Sequence, residues 1–182
     1  MSTAPKANHT IDDIYALPDG ERAELIDGQM YLMAPPNTRH QRMAGELFGV
    51  IREYIRKNKG QCEVFVAPFA VFLNANHKTY VEPDVCVICD RDKITEQGCD
   101  GAPDWIIEVV SPSSYHRDYF VKLFKYKAAG VREYWIVDPD KKRVMVYDFA
   151  NESGNEYTFS DWVHSVTLEG LEIDLAEIGR GL

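Results

Sequence analysis

Two carboxylates stand inside strongly apolar, strand-forming runs, and few folds can accept them there. Asp84 lies in Tyr80-Val-Glu-Pro-Asp-Val-Cys-Val-Ile88 and Glu108 in Trp105-Ile-Ile-Glu-Val-Val110. An ionised carboxylate is costly to bury alone, so each acid needs a cation, a set of hydrogen-bond donors or a raised pKa. Side chains alternate along a strand. Ile106, Glu108 and Val110 therefore share one face, and Glu82, Asp84, Cys86 and Ile88 share one in the other run. If the two strands are neighbours with matching faces, Asp84 and Glu108 converge. Paired oxygen ligands favour Mg²⁺ or Mn²⁺ over zinc. Such an ion polarises a phosphoryl oxygen and acidifies a bound water. Metal-assisted phosphodiester hydrolysis fits that chemistry, with a third, basic group wanted to steady the developing charge.

The surrounding chain supplies helices and further strands. Residues 10–17 read as a short helix with Thr10 as N-cap and Asp13 three residues on. Residues 24–33 read as a hairpin, because Asp27-Gly28 provides the positive-φ pair of a two-residue turn. From His40 to Lys57, Met43, Leu47, Val50, Ile51, Tyr54 and Ile55 recur at helical spacing. Strands are expected over 62–67 and 69–73, broken at Pro68, then over 80–89 and 105–110, with a charged, glycine-containing loop that has room for one helical turn over 90–102. A helix over 115–129 carries Phe120, Leu123, Phe124 and Ala128 as its apolar stripe and stops at Gly130. Glu133 to Val137 and Arg143 to Phe149 pair about the turn 138–142. Shorter strands follow at 157–159, 163–167 and 171–175. The expected fold class is α+β with α/β character: a mixed central sheet flanked by helices, an N-terminal hairpin and C-terminal strands. Residues 1–9 read as a flexible tail and 10–182 as one domain.

Composition narrows the partners. The formal charge is −9, from 20 basic and 29 acidic residues. That balance counts against a broad nucleic-acid surface, whose phosphate contacts need Lys and Arg. Local basic clusters remain at Arg52 to Lys59, Arg117 to Lys127 and Lys141 to Arg143, each of which reads equally as a solvated face. No apolar run reaches the ~20 residues of a membrane span, and the first residues lack a signal-peptide core. The expectation is a cytoplasmic protein whose four cysteines are reduced and mostly buried. Cys86-Val-Ile-Cys89 has knuckle spacing, but on a strand its thiols face opposite ways, and no second pair follows at zinc spacing.

The order Glu82-Pro83-Asp84, Pro103-Asp104-Trp-Ile-Ile-Glu108-Val-Val-Ser-Pro-Ser-Ser114, Asp118, Lys122, Tyr126, Ala129-Gly-Val131 and Glu133-Tyr-Trp-Ile-Val-Asp-Pro139 resembles the Uma-type family of candidate restriction endonucleases, within the PD-(D/E)XK nuclease superfamily. The likeness spans about residues 10–175, with Glu24-Leu-Ile-Asp-Gly28 and His40 included. It implies a restriction-endonuclease-like core, a divalent metal (Mg²⁺ or Mn²⁺) and DNA as substrate. Pro83-Asp84 matches the Pro-Asp element and Glu108 the acidic position. The lysine two residues later is missing, since Val110 stands there. The resemblance places that lysine on the next helix, at Lys122. On spacing alone, Asp118 and Lys122 read as an ordinary surface i,i+4 ion pair.

The resemblance implies catalytic roles for Asp84, Glu108, Lys122, His40 and Glu24, with Asp84, Glu108 and His40 toward metal. His40 reads equally as a core-edge histidine, and Glu24 equally as an exposed hairpin residue. Asp104 is a strand-start residue or secondary ligand, Glu82 an acid behind Asp84, and His116 and Asp118 weaker candidates. A homodimer is expected from the chemistry of cutting two strands. Two other readings stay open: a nuclease-like binding or regulatory module that does not cleave, and an interaction protein whose acids are salt-bridged in the core.

Overall fold

A computed structural model describes residues 8–74 and 78–180. Strand β1 (Arg22–Ile26) and β2 (Gln29–Met33) form the hairpin, with φ of 51° at Asp27 and 77° at Gly28. Two successive positive φ values make the turn whose twist suits paired strands, and glycine takes the second at no steric cost. Ahead of it lies α1 (Ile11–Tyr15). The Thr10 N–H donates to Asp13 at 2.8 Å, which satisfies a helix-start donor. The expected tail lies outside the described residues up to residue 7. His9 N–H, at its end, donates to the Gly28 carbonyl at 2.9 Å.

Helix α2 (Thr38–Lys57) is capped by the Asn37 side chain, which accepts from the His40 N–H at 2.9 Å. It buries Met43, Ala44, Leu47, Ile51 and Ile55. The strands that follow, β3 (Glu63–Val66), β4 (Val71–Phe72), β5 (Tyr80–Val81) and β6 (Val85–Ile88), do not stay in one sheet. Then come β7 (Ile94–Thr95), β8 (Gly98–Asp100), β9 (Trp105–Val109), a π-helical turn (Arg117–Lys122), α3 (Leu123–Ala129) and β10 (Glu133–Asp138). Next are β11 (Arg143–Asp148), β12 (Ser153–Thr158), β13 (Trp162–His164), β14 (Glu172–Asp174) and α4 (Leu175–Ile178).

Two six-stranded sheets result, in the orders β2-β1-β5-β4-β8-β7 and β12-β11-β10-β9-β6-β3, with β13 and β14 paired apart. Both large sheets are mixed: β9 runs parallel to β10, and β4 parallel to β8. One face of the second sheet packs Val85, Trp105, Ile107, Trp135 and Val137 against α2 and α4. Its other face sets Cys86, Ile88, Ile106, Tyr134 and Ile136 toward the first sheet and α3. The alternation read from the apolar runs holds on both β6 and β9.

Three expectations are corrected. The run 80–89 is two strands in two sheets. Pro83 has no N–H for a ladder, and Glu82 donates its N–H to a side chain, Glu24 Oε1, at 3.1 Å. Residues 82–84 thus carry the chain from one sheet to the other, just as 67–70 do between β3 and β4. The loop 90–102 contains the β7–β8 hairpin. Cys62 and Cys89 form a disulfide at the position after the β3–β6 pair Glu63–Ile88, while Cys86 and Cys99 are free and buried. The expectation of four reduced thiols therefore fails for two of them. Among the described residues no helix is long and apolar enough to cross a membrane.

Candidate functional site

The seam where the chain passes between the sheets holds a cavity of about 280 Å³. Glu24, His40, Asp84, Glu108 and Lys122 all line it, together with Glu82, Arg22, Arg117 and Asp118. The five acids face three cations, Arg22, Arg117 and Lys122. With every acid ionised and His40 neutral, the set carries two surplus negative charges.

Register brings the two opening acids together. Strands β6 and β9 are antiparallel, with Val85 opposite Ile107 and Cys86 opposite Ile106. One step on, Asp84 stands beside Glu108. The Val109 N–H donates to Asp84 Oδ2 at 2.7 Å, and His40 Nε2 lies 3.1 Å from the same oxygen. His40 enters from the first turn of α2, where its own N–H is held by the Asn37 cap. Burial alone would lower the His40 pKa, but the hydrogen bond and charge of Asp84 outweigh it and raise the value above normal. With Nε2 committed to Asp84, His40 steadies that carboxylate, and direct metal ligation through this nitrogen would forfeit the bond.

Lys122 is the centre of the cluster. Its Nζ lies 2.8 Å from Glu24 Oε1, 2.9 Å from Glu108 Oε1 and 3.5 Å from Asp118 Oδ1, with all four side chains buried. The surface i,i+4 pair expected from spacing is thus an interior one. Glu24, read equally as an exposed hairpin residue, is fully buried on β1 and also meets Arg117 Nε at 3.3 Å. Tyr126 donates its hydroxyl to Glu108 Oε1 at 2.7 Å. Burial first, then the neighbouring Asp118, Asp84 and Glu24 charges, push Glu108 up to about 8 against the pull of Lys122. Burial also raises Asp118. For Lys122 burial works the other way, yet the Glu108, Glu24 and Asp118 charges prevail and hold it firmly as an ammonium.

The helix after β9 turns a different face inward from the one the sequence suggests. Phe120 and Phe124 are 52% and 69% exposed, while Asp118, Lys122 and Tyr126 are buried. The reason is the π-helical turn at Arg117–Lys122. Its i→i+5 bonding shifts the face relative to a 3.6-residue period, so the polar positions 118, 122 and 126 take the core side. That four-residue spacing was the available signal for Asp118 and Tyr126. Arg22 and Arg117 carried none beyond their charge.

Other candidates fall elsewhere. Glu82 accepts from Arg22 Nε at 2.8 Å and the Tyr80 hydroxyl at 2.7 Å, which makes it a cavity-wall anchor. Asp104 accepts from the Cys89 N–H at 2.7 Å and pairs with Arg132, away from the cluster. His116 stacks on Phe120 outside the cavity. Val110 is buried among apolar neighbours and offers no cation. Among the described residues no three acidic, imidazole or thiol side chains converge as a ready-made ion site.

The Uma2 family, described as "Putative restriction endonuclease", matches residues 11–176. A Synechocystis protein described as "Uncharacterized protein slr1290" is 27% identical over 169 residues, covering 89% of this chain and 85% of its own. A second from the same organism, "Uncharacterized protein sll1609", is 29% identical over 130 residues, covering 70% of this chain and 72% of its own. Among solved structures, one titled as a putative nuclease from Anabaena variabilis superposes with a TM-score of 0.76 at 21% identity. That match covers 93% of this chain and 97% of the other. The α+β fold is of the restriction-endonuclease-like kind.

Proposed function

Because this chain belongs to the Uma2 family, we propose that it is a nuclease, and more specifically a metal-dependent endonuclease that hydrolyses phosphodiester bonds of DNA. The observation that carries the reading is the Lys122 ammonium, held within hydrogen-bond reach of Glu24 and Glu108 in the cavity that Asp84 also lines. Pro83-Asp84 and Glu108 take the first two positions of the PD-(D/E)XK pattern. Lys122, reaching in from the helix, does the work of the lysine that Val110 displaces from the strand.

The donor set suits a hard divalent ion. Its all-oxygen acids fit Mg²⁺ or Mn²⁺, and Asp84 and Glu108 would hold it. Two protein carboxylates suffice, because Mg²⁺ keeps several waters and completes its shell with substrate phosphate. When bound, the ion supplies Lewis acidity and a more acidic water. The chain's own groups do the rest. His40 orients Asp84. Lys122 places positive charge where the phosphorane oxygens develop theirs. Tyr126 fixes the Glu108 carboxylate, and Arg117 faces the cavity as a further cation for phosphate.

Supercoiled plasmid, linear duplex and single-stranded DNA, each incubated with Mg²⁺ or Mn²⁺, test this. Wild type should cleave at least one substrate, and Asp84→Ala and Lys122→Met should not. Absence of cleavage on all three with either metal would overturn it. One observation favours the second reading, a non-cleaving module: Lys122, Arg117 and Arg22 already pair with the buried acids without an added ion. That reading expects DNA binding with no calorimetric response to Mn²⁺.

A further inference from the structure

Far along α2 from the cavity lies a second depression, of about 330 Å³. Arg52, Arg56, Lys59 and Arg91 line it, against one carboxylate, Glu63. Glu63 is already paired with Arg91 at 3.1 Å. Among the described residues, Arg52, Arg56 and Lys59 make no ion pair. Three uncompensated cations around one concavity stand out in a chain whose net charge is −9. The helix dipole accounts for part of this, since a cation in the last turn is favoured there. Arg56 qualifies, but Arg52 sits a turn earlier, beyond that effect.

The same side of α2 joins the two concavities. Gln41 lines the cavity, and positions 41, 45, 48, 52 and 56 recur every three or four residues, so they share one side of the helix. Gly45 occupies this side with Gly49 beside it, and a Cβ at either would meet nothing within 4 Å. No packing neighbour explains these glycines, which each cost a helix about 1 kcal/mol relative to alanine. Their bare backbone leaves room for a bulky ligand to lie close along the helix. From Gln41 to Arg52 and Arg56 the helix rises roughly 16 to 22 Å. That length corresponds to about five to seven base pairs of duplex.

We propose that the Arg52–Arg56–Lys59 depression is a phosphate-backbone site that grips duplex DNA about half a turn away from the bond presented to the Lys122 cavity. The proposal rests on the nuclease reading for its choice of ligand. It also gives an acidic protein a local foothold on a polyanion: three cations without an acidic partner among the described residues gather in one depression, while Glu24, Glu108 and Asp118 are buried around Lys122. Lys59 adopts φ of 52° just past the Asn58 cap. A position of that kind normally favours glycine, yet here it carries a lysine pointing its charge to the depression rim.

Fluorescence anisotropy with a labelled duplex of about 20 base pairs tests it, in Ca²⁺ and across a salt series. The variants are Arg52→Ala/Arg56→Ala and, separately, Lys59→Gly, which glycine's fitness for that backbone should leave well folded. The double variant should bind at least tenfold more weakly, with its slope of log affinity on log salt reduced by about two, and Lys59→Gly should lose about one. Equal affinity and equal slope on the duplex would overturn the site. Wild type that cleaves while the slopes are unchanged sinks this inference and leaves the nuclease reading standing. Wild type that binds with the expected slopes but never cleaves does the reverse. No binding by wild type overturns both.

Discussion

Lys122 Nζ stands 2.9 Å from Glu108 Oε1, both side chains buried, although one comes from a strand and the other from the helix that follows it. Glu24 and Asp118 complete the shell of that ammonium. Its removal leaves three buried carboxylates without their shared cation, and breaking a buried pair in this way costs about 3 to 5 kcal/mol. Lys122→Met should therefore lower chemical-denaturation stability by that order in EDTA. Mn²⁺ should restore part of the loss, because an added cation can replace the missing charge. Urea titrations with and without Mn²⁺ read this directly. A variant as stable as wild type in EDTA would show that Lys122 is not the counter-charge of the cluster.

Glu108 gives a pH signature with a definite sign. Its ordinary value is 4.5 and the folded protein holds it at about 8, so between those limits the folded state binds more protons than the unfolded one. Stability of the metal-free protein is then greatest below pH 4.5 as far as this group is concerned, and falls as pH rises through about 8. Asp118 adds in the same direction. Glu108→Gln removes the ionisation and should flatten the decline, so that the variant's stability relative to wild type rises between about pH 5 and pH 9 in EDTA. Parallel stability profiles for the two proteins would contradict the shift.

How much of this could be read beforehand depends on the kind of signal involved. Helix α2 and the face of Glu108 followed from simple periods, 3.6 and 2: Met43 and Leu47 are buried on one side of the helix, and Trp105 and Ile106 pack into cores on opposite faces of the sheet. The passage of residues 82–84 between sheets did not follow. An apolar run with one proline looks the same whether it bends or crosses, and only the partners of Glu82 decide. Phe120 and Phe124 misled for a related reason. A π turn changes the period locally, and apolar residues then mark the outside while Asp118 and Lys122 go in. The buried role of Glu24 was out of reach too, because Lys122 and Arg117, its partners, lie far along the chain.

The Cys62–Cys89 bond links the edge strand β3 to β6, closing 27 residues of chain that cross to the first sheet at 67–70 and return at 82–84. A cross-link over that span restricts the unfolded chain by about 3 kcal/mol. Reduction, or Cys62→Ser with Cys89→Ser, should lower stability by that order. Under denaturing, non-reducing conditions only Cys86 and Cys99 should react with a thiol reagent. Four reactive thiols in protein never exposed to reductant would rule the bond out.

His40 meets the candidate site at Asp84. Its Nε2 lies 3.1 Å from Asp84 Oδ2, and the Val109 N–H pins the same oxygen from the other side. One support is backbone and cannot be mutated away; the other is a side chain that can. Groups that orient a ligating carboxylate in this manner are worth roughly 10- to 100-fold in metal affinity. His40→Ala should weaken Mn²⁺ binding by that factor in calorimetry, while Asp84→Ala abolishes it. His40→Gln, able to donate to Asp84 from a similar place, should recover part of the loss. If His40→Gln behaves like Asp84→Ala, the imidazole is itself a ligand, and its bond to Asp84 breaks when the ion enters.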